Sequence, residues 1–441
     1  NLMNVELSGE LCISGYTDDE ARQIKTNLVV ENPNWATALS MGKSVWGIDP
    51  KIRFYREESG KIYAPAGYLS TLTAINSNVV ILDKRYLHPT LLKIEFVGTL
   101  YDYQQVAVDA MSNVTNGVLC AITASGKTVI ACALIAKLKQ PTLILVDTIE
   151  LANQFTARLK QFTTIKEVGR IGTGKMDIKP ITVATLQTIV RMTDVELAKF
   201  KFGITIVDET HIAPATTYAA AMRRINSTYK YGLSATPERA DGLTKVIFWL
   251  TGPLMHQVPQ SAVASKIIIP TYEFIKTNYT YPLFDTAEYG QMITDLGKND
   301  ERNKLIVETV NKYPTQQCVL LCHRQEHVER LSSSIPGSVI LLSKTKKKIR
   351  AEIIKQLETG QKRIVVTTWQ LFHKGIDLAE LEILFICAPT RSKVWLKQSA
   401  GRLMRLSKKI NKKPVIVDFA DTRIDLLKYQ FYARKRVLTQ L

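Results

Sequence analysis

From about residue 118 onward the chain alternates short, almost wholly apolar runs with stretches of helical periodicity. The runs lie at residues 117–123, 141–146, 181–184 and 202–207, and then at 317–322, 338–342, 363–367 and 382–387. Between them, residues 128–138 and 149–161 repeat apolar positions three and four apart, the spacing of one helix face. Strands alternating with helices predict βαβ units around parallel sheets. Runs with no polar alternation fit strands covered on both faces. Two such series occur, one ending near residue 250 and one starting near residue 300. The segment between them, with Pro253, Pro259, Pro270 and Pro282, reads as a connection plus an edge element. Residues 1–95 differ, because their short β-like runs at 52–56, 61–64 and 78–82 are broken by Gly and Pro. The expected organisation is a small α+β accessory domain (1–95) followed by two α/β lobes (96–260 and 261–441).

Composition adds little to this picture until charge is divided along the chain. With 46% hydrophobic and 22% charged residues the chain has the make-up of a soluble globular protein. No apolar run approaches the roughly 18 residues of a membrane span, and no secretory leader is evident. Asn1 and Leu2 ahead of Met3 read as a cloning remnant. Six scattered cysteines, several inside apolar runs, fit reduced thiols in a cytoplasmic protein rather than a disulfide framework. The net charge is −1 over residues 1–95, +5 over 96–260 and +14 over 261–441. A basic excess of this size favours a polyanion such as DNA or RNA, since Lys and Arg displace counterions from phosphates.

The chemistry concentrates in three places. The stretch Ala121 to Thr128 (AITASGKT) lies between a strand and a helix, the setting of a phosphate-binding Walker A loop. Its N–H groups and the helix start favour anions, Lys127 would reach the β- and γ-phosphates, and Thr128 would ligate Mg²⁺. Ala121 and Ala124 replace common glycines, while Gly126 keeps the backbone able to approach a phosphate. Second, the strand at 202–207 ends in Asp208, Glu209, Thr210 and His211. Carboxylates at the C-terminal end of a parallel strand face the ligand crevice, so Asp208 would hold the metal and Glu209 would orient and deprotonate water. An isolated acidic pair would read as a helix cap; the Walker A loop upstream changes that. Third, Arg402 and Arg405, three apart on a helix, can stabilise charge developing on a γ-phosphate.

Taken together, residues 96–420 resemble the superfamily 2 helicases motif by motif. Leu100 to Gln104 match the Q motif, in which Gln104 reads the adenine edge, although Tyr101 stands where a basic residue is usual. Ala124, Ser125, Gly126, Lys127 and Thr128 form the nucleotide loop. Motif Ia runs from Val146 through Thr148 to Gln154, with Asp147 in place of a common proline. Thr173-Gly174 and Val183 to Gln187, with Thr185, match the next two strand-contacting motifs. Ser234-Ala235-Thr236-Pro237 match the motif that links hydrolysis to movement. Val319 to Arg324 match motif IV, and Val366 to Thr368 with Gly375 and Asp377 match motif V, the last two closing over the nucleotide. The resemblance implies tandem RecA-like lobes with ATP and Mg²⁺ between them. It also implies nucleic-acid contacts at Thr148, Thr173, Gly174, Thr185, Arg324 and Thr368, and coupling through His211, Ser234, Thr236 and Gln398.

Histidine in DETH points to the DExH group. The run Ser234 to Gly242, together with residues 32–67, is similar to XPB-like and phage UvsW-like DNA helicases. That similarity implies a branch-migration helicase acting as a monomer on forked or branched DNA in replication, recombination or repair, in the host cytoplasm if phage-encoded. An RNA helicase and a non-unwinding ATPase switch are the alternatives. Cys318, Cys322, His323 and His327 have zinc-like spacing, but the two cysteines share one face of a core strand, so packing is the expected use. Basic clusters at 344–350, 408–413 and 434–436 offer phosphate contacts. Trp35, Trp46, Phe54 and Tyr55 could pack in the accessory core or stack on bases, and Trp369 and Phe372 could serve either DNA coupling or packing.

Overall fold

The computed structural model describes residues 2–40, 44–122, 125–172, 174–208, 215–235, 242–264, 267–282, 288–373, 376, 378, 380–404 and 411–439. These fall into two compact units that divide between residues 259 and 260, except that Ser125 groups with the second.

The first unit begins with β1 (Met3–Leu7), β2 (Glu10–Ser14), β3 (Val29–Glu31), β4 (Lys51–Arg53), β5 (Arg56–Glu58), β6 (Lys61–Pro65) and β7 (Val79–Asp83). Five of these form a sheet in the order β5-β6-β2-β1-β7, and β3 pairs only with β4. Met3, Val5 and Leu7 turn inward from β1 while Asn4 and Glu6 turn out, the period-two pattern of a sheet with one covered face. The apolar stretch at 52–56 is not one strand. It divides at Phe54, whose buried ring packs 5.7 Å from that of Trp249.

That contact belongs to a core shared with the rest of the unit, in which Val5, Ile13 and Tyr68 join Tyr218, Val246 and Leu250. The backbones approach closely here: a Cβ on Gly67 would stand 2.4 Å from the Phe248 carbonyl oxygen. Lys230 is buried at the same junction, its Nζ donating to the carbonyls of Gly9 (3.0 Å) and Met222 (3.2 Å). Desolvation pushes its pKa down to about 7.

The second sheet of this unit contains β8 (Asn116–Cys120), β9 (Thr142–Val146), β10 (Gly169–Gly172), β11 (Lys175–Asp177), β12 (Ile181–Thr185), β13 (Ile204–Asp208), β14 (Tyr229–Ser234) and β15 (Leu254–Gln257). The order is β11-β10-β12-β9-β13-β14-β8-β15. All pairs are parallel except β10 with β11. Every residue of β9 and β12 is buried, which accounts for the unbroken apolar runs.

The second unit carries one parallel sheet of β16 (Thr271–Lys276), β17 (Cys318–Cys322), β18 (Val339–Leu341), β19 (Ile364–Thr368), β20 (Ile383–Ile386) and β21 (Val415–Ala420), ordered β16-β21-β20-β17-β19-β18. Each unit thus carries one parallel or largely parallel sheet of the kind expected from the alternating pattern, and the pair fits the tandem RecA-like lobes that the resemblance implied. Alternate residues of the central strands feed two cores. One is built around Trp369 and Phe372 and the other around Phe385, Phe419, Cys318, Cys322 and Cys387. Trp369 and Phe372 are therefore packing residues, and Trp369 Nε1 donates to the Ala388 carbonyl at 2.9 Å.

Two buried arginine–aspartate pairs lie under β21. Arg302 meets Asp421 through Nε (2.8 Å) and Nη2 (3.0 Å), and Arg434 meets Asp418 through two bonds of 2.9 Å. Arg434, read from the sequence as part of a basic cluster open to phosphate, is 1% exposed and bound to this carboxylate instead. Among the described residues no helix is long and apolar enough to cross a membrane.

The zinc-like cluster is likewise taken up in packing. Cys318 and Cys322 are buried, and burial pushes the Cys318 thiol up to about 12. His323 Nε2 lies 2.6 Å from the Pro389 carbonyl, and His327 Nε2 lies 3.0 Å from Asn303 Oδ1. Burial lowers the His327 pKa to about 3. With the folded pKa below the unfolded one, the unfolded chain takes up the proton first. The stability contribution is therefore complete above about pH 6.5 and lost as pH falls toward 3. His327→Gln should remove a stability loss of up to about 1.4 kcal/mol per pH unit in this window. Urea midpoints of both proteins at about pH 7.5 and about pH 5 check this; equal pH dependence would contradict it.

Candidate functional site

The phosphate loop leaves β8 at Cys120. Its first residue is anchored to the neighbouring strand, as the Ala121 N–H donates to the Ser234 carbonyl at 2.9 Å. The helix Lys127–Leu138 then starts at Gly126, whose φ of 83° and ψ of 34° are left-handed. Lys127 is 9% exposed and donates from Nζ back to the Ala121 carbonyl at 3.1 Å, so its amine folds over the loop. Ser125 is buried, Thr128 is half-buried in the first helical turn, and Ala124 lies outside the described residues.

Gln104 comes to the same loop from the helix Asp102–Ser112. It is buried, its Oε1 accepts from the Tyr101 N–H at 3.0 Å, and a Cβ on Gly126 would stand 2.5 Å from its Nε2. Gly126→Ala therefore meets both a collision and a left-handed backbone, which costs roughly 1–2 kcal/mol for a residue with a Cβ. ATP turnover is expected to drop at least about tenfold, along with a lower melting temperature. Wild-type turnover by the folded variant would contradict this placement of the loop.

Asp208 closes β13, and the register sets it opposite Leu233 of β14, while Ser234 of β14 sits opposite Cys120 of β8. The carboxylate, Ser234 and the phosphate loop thus end three adjacent strands on one edge. In open parallel sheets that carboxyl edge is where ligands bind. Glu209, His211 and Thr236 lie outside the described residues.

The other half of the edge carries different chemistry. Thr148 follows β9 and caps the helix Ile149–Phe162, its Oγ1 accepting from the Leu151 N–H at 3.2 Å. Thr185 ends β12, opposite Val146 of β9, and shares a hydrogen bond with the Thr188 hydroxyl at 2.8 Å. Gly174 follows β10 with a φ of 76° and nothing within 4 Å of where a Cβ would lie; Thr173 lies outside the described residues. Gln187 Nε2 donates to Asp147 Oδ1 at 2.8 Å, linking the segment after β9 to the helix after β12. The sequence reading missed this pair; its only signal was an aspartate where the motif usually has proline.

In the second unit, Cys322 of β17 pairs with Thr368 of β19, which brings the residues following these strands side by side. Thr368 Oγ1 accepts from the Leu371 N–H at 3.3 Å, and the exposed Arg324 donates from Nη2 to the Gly290 carbonyl at 3.1 Å. Arg402, on the helix Lys393–Leu403, donates from Nη1 to the carbonyls of Phe372 and Ile376, and its guanidinium carbon lies 4.8 Å from the Phe372 ring centroid. The motif V segment thereby holds the arginine in place. Gln398 is buried on the same helix, while Gly375, Asp377 and Arg405 lie outside the described residues.

Residues 98–239 match the family model described as type III restriction enzyme, res subunit, and residues 300–407 match that of the helicase conserved C-terminal domain. The putative ATP-dependent RNA helicase L396 of Acanthamoeba polyphaga mimivirus is 27% identical over 353 residues, covering 77% of this chain and 67% of that protein. The DNA 3'-5' translocase XPB2 of Sulfurisphaera tokodaii is 25% identical over 350 residues, covering 69% and 78%. The crystal structure of T4 UvsW aligns with 99% of this chain and 97% of its own, at 18% identity and a TM-score of 0.44.

Proposed function

This chain belongs to the superfamily 2 helicases, and on that premise we propose that it is an ATP-driven motor on DNA whose substrates are forks and branched junctions. The observation that carries the reading is the division of one sheet edge. The loop read as phosphate-binding follows β8, Ser234 and Asp208 end β14 and β13, Thr148 follows β9 and Thr185 ends β12. The similarity to an archaeal protein named a DNA translocase supports DNA as the polymer.

Mg²⁺–ATP fits the first half. A lysine amine, helix-start N–H groups, a threonine hydroxyl and a strand-end carboxylate are the donor set for a metal-bound triphosphate. Bound there, it supplies the phosphoanhydride whose hydrolysis drives the cycle, with the metal offsetting phosphate charge. Lys127 and the loop N–H groups hold the phosphates, Thr128 and Asp208 hold the cation, and Gln104 reads the base. Glu209 accepts the proton of the attacking water. Arg402 and Arg405 oppose the charge that builds on the γ-phosphate. By the family resemblance, Gly375 and Asp377 would contact the nucleotide, and His211, Ser234, Thr236 and Gln398 would relay its state.

Thr148, Thr173, Gly174, Thr185, Arg324 and Thr368 hold backbone phosphates, which makes movement independent of base sequence. The relative named an RNA helicase favours a second polymer. ATPase rates across single-stranded, duplex, forked and four-way-junction DNA and matched RNAs separate the two. Stimulation by DNA, strongest with branched forms, is expected; stimulation by RNA alone would overturn the reading.

A further inference from the structure

Among the described aromatic side chains of residues 1–95, one is not used in packing. Phe54 is buried against Trp249, Tyr68 is buried and accepts from Asn27, Tyr63 lies under the Arg56 guanidinium, and Trp35 is half-buried. Trp46 is 94% exposed.

Its position is constructed rather than frayed. The Ile48 N–H donates to the Val45 carbonyl at 3.0 Å, closing a β-turn with Trp46 and Gly47 at its centre. Gly47 has a φ of 78°, the left-handed value that the third residue of a type II turn requires. The Trp46 N–H donates to Ser44 Oγ at 3.2 Å. At the base of the excursion, Asn32 donates from its backbone to Pro50 (2.8 Å) and from its side chain to Asp49 (2.7 Å), beside the β3–β4 pair. A hydrogen-bonded turn thus holds an indole out in solvent, and Lys51 and Arg53 follow in β4, Arg53 paired with Asp49 at 2.9 Å.

Residues 1–95 carry a net charge of −1, so this region has little bulk attraction for a polyanion and must bind by local contacts. An exposed indole presented by a fixed turn suits a base whose face has been uncovered, because stacking needs no base identity and an intact duplex offers such a face only at its ends.

We propose that Trp46 stacks on an unpaired base at a fork or junction, giving the motor its preference for branched DNA. This inference rests on the DNA-motor reading above. The test uses the full chain with Trp46→Ala and Trp46→Phe, and a fork carrying 2-aminopurine at its first unpaired position. Trp46→Ala should bind the fork about tenfold more weakly and lose most of the 2-aminopurine quenching, with Trp46→Phe between it and wild type. ATPase stimulation by saturating plain single strands should be unchanged, and thermal melting should show an intact fold. Equal fork affinity and quenching for wild type and Trp46→Ala would overturn the assignment while leaving the motor intact. If the wild-type ATPase responds to no DNA, the DNA reading itself fails.

Discussion

Replacing Lys127 with alanine is expected to lower ATP turnover by about 100- to 1,000-fold, the usual loss when a preorganised donor to a transferring group is removed. The effect should be on chemistry more than on folding. The ammonium donates to the Ala121 carbonyl at 3.1 Å. Losing a bond of that kind costs about 1 kcal/mol. The variant should therefore melt close to wild type and still bind nucleic acid, because Thr148 after β9 and Thr185 at the end of β12 lie on the other half of the sheet edge. Glu209→Gln should abolish turnover as well. Steady-state phosphate release at saturating DNA measures both. Wild-type turnover by either variant would show that the site has been misassigned.

The second large effect is on stability. Asp421→Asn removes the charge partner of Arg302, which is 1% exposed, and weakens the bond that Asp421 accepts from Thr277 Oγ1 at 2.5 Å. Breaking one side of a buried pair costs about 3–5 kcal/mol, because the remaining charge is left without compensation. The denaturation midpoint of the second unit should fall accordingly. Replacing both partners with apolar residues, Arg302→Met with Asp421→Leu, should recover most of the loss. A single variant as stable as wild type, or a double variant no better than the single, would contradict the assignment of this pair as a structural element.

These two cases also mark where the sequence was readable. β9, β12, β17 and β19 stand out as unbroken apolar runs because they are covered on both faces. β14 and β21 do not, because each carries a charged residue inward. Lys230 reaches the Gly9 and Met222 carbonyls, and Asp418 receives Arg434. In each case the partner that makes burial tolerable is distant in sequence or indistinguishable from a surface group.

The proposed phosphate loop was legible as a motif because its residues are contiguous. The Asp147–Gln187 bond and the grip of Phe372 and Ile376 on Arg402 were not, since they join segments that only the fold brings together. Trp46 shows the converse limit. Composition offered four aromatic candidates at 35, 46, 54 and 55, and exposure alone separates the one at a turn tip from those spent on packing.

The most direct test of the central claim is strand displacement from a forked DNA with a labelled strand, with ATP, without ATP, and with Lys127→Ala. The account predicts release by the wild-type chain only when ATP is hydrolysed, and none by the variant. DNA-stimulated ATP hydrolysis with no displacement from forks or junctions, and no movement along DNA, would contradict it.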